Sequence, residues 1–448
     1  MAIFSAANIL IPQNLDLKKW SVVACDQYTS QKDYWQRVEG FVGSSPSALN
    51  LIYPEAYLSE GEKRIEKINS FMEKYIKENI FKELENSYIY VERTLPGGKT
   101  RKGIIGAVDL EEYDFSKGSK SAVRATEGTV AERIPPRVKI RKNAPLELPH
   151  VMLLLNDSSF SVIPNNPVGE KIYDFELMEN GGHLKGFILS ETESKNFGQN
   201  FSNYAKSAKD GLVLAVGDGN HSLATAKTCW ENIKQNLTFE EQKNHPARFC
   251  LVEVENIYDT ALEFEPIHRV LFGTSLLDFE SKLKKFYPNT SLDQGEHKIT
   301  VLTKEGKKDF YINNSGSKLA VGAVQKFIDF CGFETDYIHG IETVENLCKN
   351  GENLGIILPK PEKSDLFDTV IADGALPRKT FSMGEANEKR FYFGKKNKIV
   401  LQNAYNTKKG LKKNSLEKTE VHLKSEPLSD FCLKFDFFTK MQKKQKHF

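Results

Sequence analysis

The stretch GLVLAVGDGNHSLATAKTCWENI, residues 211–233, constrains the fold of this chain more than any other. An apolar run ends at Gly217, a six-residue turn from Gly217 to Ser222 follows, and Leu223, Ala226, Trp230 and Ile233 then recur at helical spacing. The pattern is strand, glycine turn, helix, and it demands a layered α/β arrangement in which the helix packs back on the sheet. Two further apolar runs, Val151 to Leu155 and Phe249 to Val254, read as buried strands of the same kind. Tyr88 to Arg93 and Lys102 to Leu110 read as a hairpin around Pro96-Gly97-Gly98. Ahead of it, Glu60 to Leu84 has one apolar helical face, with Ile65, Ile68, Phe71, Met72, Tyr75 and Ile76. Mixed α/β is therefore expected, with Asp157 to Asn166 as a loop and Glu191 to Asn203 as a polar stretch before a short helix.

With 448 residues the chain exceeds the size of one average domain. We expect an N-terminal α/β region over residues 1–150, a second region over 151–394, and a basic appendage over 395–448. The net charge of +2 is uneven, because residues 395–448 hold 14 Lys or Arg against 5 Asp or Glu, +9, which leaves −7 on the body. An acidic body argues against nucleic-acid binding except through that tail. The longest purely apolar runs are about five residues, far below the roughly 20 that a membrane span requires. The N-terminus MAIFSAANILIPQNLDLKK has no basic region before its apolar stretch, so a cytoplasmic protein is expected. The six cysteines show no C-x-x-C pair and no nearby Cys/His grouping, which signals neither a zinc site nor a disulfide framework.

Four polar clusters could carry chemistry. The turn Gly217-Asp218-Gly219-Asn220-His221-Ser222 aims backbone N–H groups and a helix dipole at one point, which suits an anion. Its spacing fits neither G-x-x-x-x-G-K-[ST] nor G-x-G-x-x-G. Asp218 is placed to hold a hard cation such as Mg²⁺, and His221 to donate to a phosphoryl oxygen. The simpler alternative is that Asn220 or Ser222 caps the helix. Residues 121–150 bring Arg124, Arg133, Arg137 and Arg141 near Glu127 and Glu132, with Pro135-Pro136 stopping any helix between them. This is either a clamp around a general base or a solvated charged loop. Phe264 to Arg269 ends in His268-Arg269, either a structural pair after a strand or part of a site, and Asp373 to Phe381 projects Arg378 and Lys379 from a Gly/Pro loop, either suited to phosphate or plain surface.

In this order the clusters resemble the bacterial and archaeal family called domain of unknown function 1015. The resemblance runs from Val23 to Tyr28 and Asn50 to Glu55 through Glu127-Gly128-Thr129, Asp218 to His221, Pro266 to Arg269 and Asp336 to Gly340 to Leu376 to Thr380, about 390 residues. The D-G-x-H turn is also similar to the phosphate-binding turn of the ParB and sulfiredoxin superfamily, which includes nucleotide-dependent kinases of free serine. The resemblance implies a ParB/sulfiredoxin-like core with large elaborations, and phosphoryl transfer from ATP or ADP, with Mg²⁺, to the hydroxyl of a free amino acid or similar metabolite, serine favoured. In that reading Glu127 is the general base, and Asp218 and His221 join it in catalysis, Asp218 holding the metal. Gly217, Gly219, Asn220, Ser222, Arg378 and Lys379 bind the nucleotide phosphates, and His268, Arg269 and Arg124 bind the substrate. The rival is a non-catalytic nucleotide-binding regulatory protein of ParB type. The chain departs from the family in having Asn220-His221-Ser222 where His-His-Arg is usual and Thr126-Glu127 where His-Glu is usual. The turn lacks an arginine, so Arg378, Lys379 or Arg269 must substitute.

Overall fold

The computed structural model describes residues 2–396 apart from 30, 130, 149, 168, 378, 384–389 and 392–394. The chain divides into a unit of residues 1–401 and one of 402–448; the description below is of the first. The expected basic appendage falls outside the described residues except for Lys395 and Lys396. Lys395–Lys396 pairs antiparallel with Leu146–Glu147, and Arg390–Phe391 pairs with Val22–Val23.

The apolar runs form the centre of a ten-stranded mixed sheet. In chain order its strands are β1 (Phe4–Ser5), β2 (Ile89–Thr94), β3 (Thr100–Asp109), β4 (Tyr113–Asp114) and β5 (Val123–Arg124). They continue with β6 (Met152–Leu155), β7 (Glu170–Glu176), β8 (His183–Ile188), β9 (Leu214–Asp218) and β10 (Phe249–Asn256). The spatial order is β7-β8-β2-β3-β10-β6-β9-β5-β4, with β1 on β3. Strands from both sides of residue 150 alternate in this sheet, so the boundary expected there divides the sequence without dividing the sheet. β6 runs parallel to β10 and antiparallel to β9. Its Leu153 and Leu155 face one core with Leu214 and Val216, whereas Met152 and Leu154 face another with Ala215. Burial on both faces is why this strand reads as an unbroken apolar run.

A second sheet contains β11 (Phe264–Phe272), β12 (His297–Thr303), β13 (Gly306–Ile312), β14 (Thr335–His339), β15 (Asn353–Ile357) and β16 (Phe381–Met383). Its order is β13-β12-β15-β11-β14, with β16 also on β11. One core, which takes in Met152 and Leu154, continues through Phe264, Leu271, Val301 and Ile356 of this sheet.

The helices correct three expectations. The helix expected over Glu60 to Leu84, α1 (Glu62–Lys77), buries Ile68, Met72 and Tyr75 but stops before Leu84. Asn79 turns into the left-handed region at φ 54°, and Phe81–Ser87 becomes a strand paired with Ala7–Pro12. Pro135 and Pro136 begin rather than stop a helix, α2 (Ile134–Lys142), since its first turn has N–H groups without intrahelical partners and loses nothing to proline. The polar stretch after 190 is itself a 17-residue helix, α3 (Glu191–Ser207), opened by a reciprocal Ser190/Glu193 capping box. The helix after the glycine turn is α4 (Asn220–Lys234), which buries Leu223, Ala226 and Trp230 as its spacing requires.

Candidate active site

A cavity of about 1480 Å³ collects most of the polar clusters. Glu127, all of residues 217–222, His268 and Lys379 line it together. Arg378 lies outside the described residues.

The turn is shaped by glycines, for reasons that differ between them. Gly219 is the N-cap of α4 at φ 82°, ψ 26°, and no side chain caps the helix there, so the cap expected from Asn220 or Ser222 is not what holds the turn. A Cβ on Gly219 would stand 3.0 Å from both Cα and Cγ2 of Val151. Gly217 has ordinary φ, but a Cβ there would meet Met383 Cε at 2.6 Å and Leu154 Cγ at 2.9 Å. Close packing against the core therefore accounts for Gly217 without any ligand. Asp218, the last residue of β9, is half-buried on the cavity wall.

Asn220 acts on the neighbouring loop. Its Oδ1 accepts from the Thr126 backbone N at 3.3 Å, and its Nδ2 donates to Thr126 Oγ1 at 3.4 Å. The Thr126 hydroxyl donates to the Val216 carbonyl at 2.6 Å, and the Thr126 carbonyl accepts from Leu376 N at 2.6 Å. Glu127 bridges in parallel to Leu376. One threonine is thus tied to the strand before the turn, to the turn itself and to the loop that carries Lys379, and Glu127 follows it directly. The Asn220 side chain thus braces the loop, and the phosphate contact expected at this position is one of its backbone N–H.

One wall of the cavity draws on residues 25–27, Glu55 and His150, to which sequence reasoning assigned no role, together with Arg133 and Arg137, which it weighed as a clamp around a general base. Arg137 forms an ion pair with Glu55, and His150 Nε2 lies 3.8 Å from Asp26 Oδ2. Burial raises the Glu55 carboxyl above its ordinary value, with Arg137 opposing and Asp26 adding to the rise. Burial, with Asp26 and Glu55 behind it, also pushes the Cys25 thiol up, so it is a thiol and not a nucleophilic thiolate. His221 is lowered to about 4 by burial first and then by Arg137 and Arg133, against Asp26. It is a neutral imidazole at pH 7, with one N–H to donate.

His268 and Arg269 part company. Both are on β11, where successive side chains point to opposite faces. His268 lines the cavity, and its Nδ1 accepts from Leu358 N at 3.2 Å, which puts its proton on Nε2. Burial, then Arg269 and His339, lowers its pKa. Arg269 is fully buried, donates to the Ile267 carbonyl at 2.5 Å and to Gln325 Oε1 at 3.2 Å, and lies over Tyr337. It braces the second sheet and is not among the cavity residues, which corrects its expected substrate role. Arg124 is corrected likewise. It is buried, donating to the Ser121 and Asp210 carbonyls and pairing with Asp210 at 3.2 Å.

Among the described residues no group of three or more His, Cys, Asp or Glu is gathered to hold a metal ion. A single carboxylate such as Asp218 fits Mg²⁺ that arrives with nucleotide phosphates and keeps most of its water, the usual mode for that ion. It does not fit a resident ion caged by protein.

The sequence family described as protein of unknown function (DUF1015) matches residues 10–331, and the chain belongs to it. Among curated proteins none matches this chain. Solved structures similar to it include SbnI with C-terminal truncation from Staphylococcus aureus, 9% identical with a TM-score of 0.37, covering 69% of this chain and 95% of that one. A free serine kinase in complex with AMP is 10% identical, with a TM-score of 0.35 over 64% of this chain and 95% of that one. A conserved hypothetical protein from Pyrococcus furiosus is 10% identical, with a TM-score of 0.33 over 64% and 99%.

Proposed function

We propose that this protein is a nucleotide-dependent phosphotransferase that acts on the hydroxyl of a free amino acid or similar small metabolite, serine favoured. The observation that carries this reading is the meeting, in one cavity, of the α4 N-terminal turn with Glu127, Asp218 and His268. Phosphoryl transfer asks mainly for positioning and charge neutralisation, and a cavity above the usual 300–1,000 Å³ of single-ligand pockets has room for donor and acceptor.

The backbone of the turn and the neutral His221 N–H bind the phosphates of ATP or ADP. Asp218 would hold Mg²⁺ arriving with the nucleotide, and the ion when bound would supply neutralisation of phosphate charge. Glu127 accepts the proton of the acceptor hydroxyl as its oxygen bonds to the terminal phosphorus and the bond from that phosphorus to the leaving nucleotide oxygen breaks. His268 Nε2–H and Lys379 hold the acceptor carboxylate and the transferring group.

Incubation with ATP or ADP, Mg²⁺ and a panel of amino and hydroxy acids, read by mass spectrometry, tests the proposal. A phosphorylated acceptor is expected. Nucleotide binding without product across the panel would return the non-catalytic regulatory reading.

A further inference from the structure

The Asp-Gly-Asn-His turn has no arginine, and Arg269, the nearest expected substitute in β11, is spent inside the second sheet. We infer that Arg137, with Arg133 one helical turn before it, supplies the missing cations, so that the oxyanions of a nucleotide polyphosphate are clamped between α2 and the turn that opens α4. This rests on the nucleotide reading and adds to it the residues that neutralise the phosphates.

Three observations place the clamp. Helix α2 packs beside α4. Arg137, Arg133 and His221 line the same cavity. The Arg137 guanidinium is also held rather than solvated: one Nη donates to the Arg133 carbonyl at 3.0 Å and the other to Glu55, and a quarter of the side chain is exposed. A guanidinium has five N–H donors, so two engaged by these partners leave an edge for two phosphate oxygens, a geometry that suits arginine and not lysine. Glu55 then fixes the fork, since it accepts from one side while the other side meets the ligand. The depressed pKa of His221, to which both arginines contribute, agrees with a positive potential at this spot.

Isothermal titration of full-length wild type, R137M, R137K and E55Q with ADP and with ATP, each with Mg²⁺, tests the assignment. R137M is expected to weaken both nucleotides about 10- to 100-fold, the worth of a lost charged hydrogen-bond pair, and R137K to recover only part of this. E55Q keeps the arginine and is expected to weaken binding less than R137M. R137M binding ADP as the wild type does, while K379M abolishes it, would overturn the clamp and leave the kinase reading standing. A wild type that binds neither nucleotide would overturn that reading and the clamp with it. Should R137M not fold, the titration of His221 followed by NMR in wild type decides. Bound phosphate offsets Arg137 and Arg133, so the His221 pKa must rise when ADP binds, with Asp26 acting in the same direction in both states. An unmoved titration in the ADP complex would overturn the assignment.

Discussion

Gly219→Ala tests how the turn is built. Alanine at φ 82° sits in the left-handed region, which costs about 1–2 kcal/mol for a residue with a Cβ. The new Cβ also meets Val151 Cα and Cγ2 at 3.0 Å, and Val151 is a buried core residue whose backbone leads into β6. Over-packing of that kind costs about 1–3 kcal/mol. The two add to about 2–5 kcal/mol, because one is local backbone strain and the other a steric contact. The assay is urea denaturation of wild type and Gly219→Ala, followed by ADP calorimetry under conditions where both are folded. A stability change within about 0.5 kcal/mol, the scale of ordinary surface substitutions, would refute the reasoning about both φ and Val151. Asp218→Asn serves as the contrast, since it preserves the shape of the turn. Its folding stability should stay near wild type, while turnover with the phosphorylated product as readout falls more than nucleotide affinity.

Glu127→Gln should lower turnover about 10²- to 10⁴-fold and leave ADP affinity at the wild-type value, as expected for loss of a general base; equal loss of both in rate and calorimetric measurements would assign Glu127 to binding. His221 titrates near 4 when folded and near 6.5 when unfolded, so the unfolded chain takes up more protons between these values; its contribution to stability is complete above pH 6.5 and is lost as pH falls toward 4. The urea midpoint of His221→Gln should therefore fall less steeply than that of wild type across that window. Arg269→Met removes a buried cation that bonds a backbone carbonyl and Gln325, and should cost about 1–3 kcal/mol in urea denaturation with no change in ADP calorimetry.

What the sequence determined by itself is what depends on neighbours along the chain. The period of Leu223, Ala226 and Trp230, the apolar run ending at Gly217 and the Pro96-Gly97-Gly98 turn each express a local conformational preference, and strand, turn, helix and hairpin formed where these signals stand. The opposite fates of His268 and Arg269 were also legible in principle, because alternation along a strand sends adjacent residues to opposite faces. What only the tertiary structure decided is which distant segments share a wall. Asp26, Glu55 and Arg137 lie far from residue 218 in sequence, and nothing periodic links them to it. They meet it because α2 packs on α4 and because Glu55 N bonds to the Cys25 carbonyl. The same holds for Asn220, whose side chain could serve as a cap, a ligand or a brace by local chemistry alone; the arrival of Thr126 beside it, 94 positions away, selected the brace. Backbone preferences act over a few residues, whereas a site is assembled by side chains brought together when apolar faces are buried, and that burial is indifferent to separation along the chain.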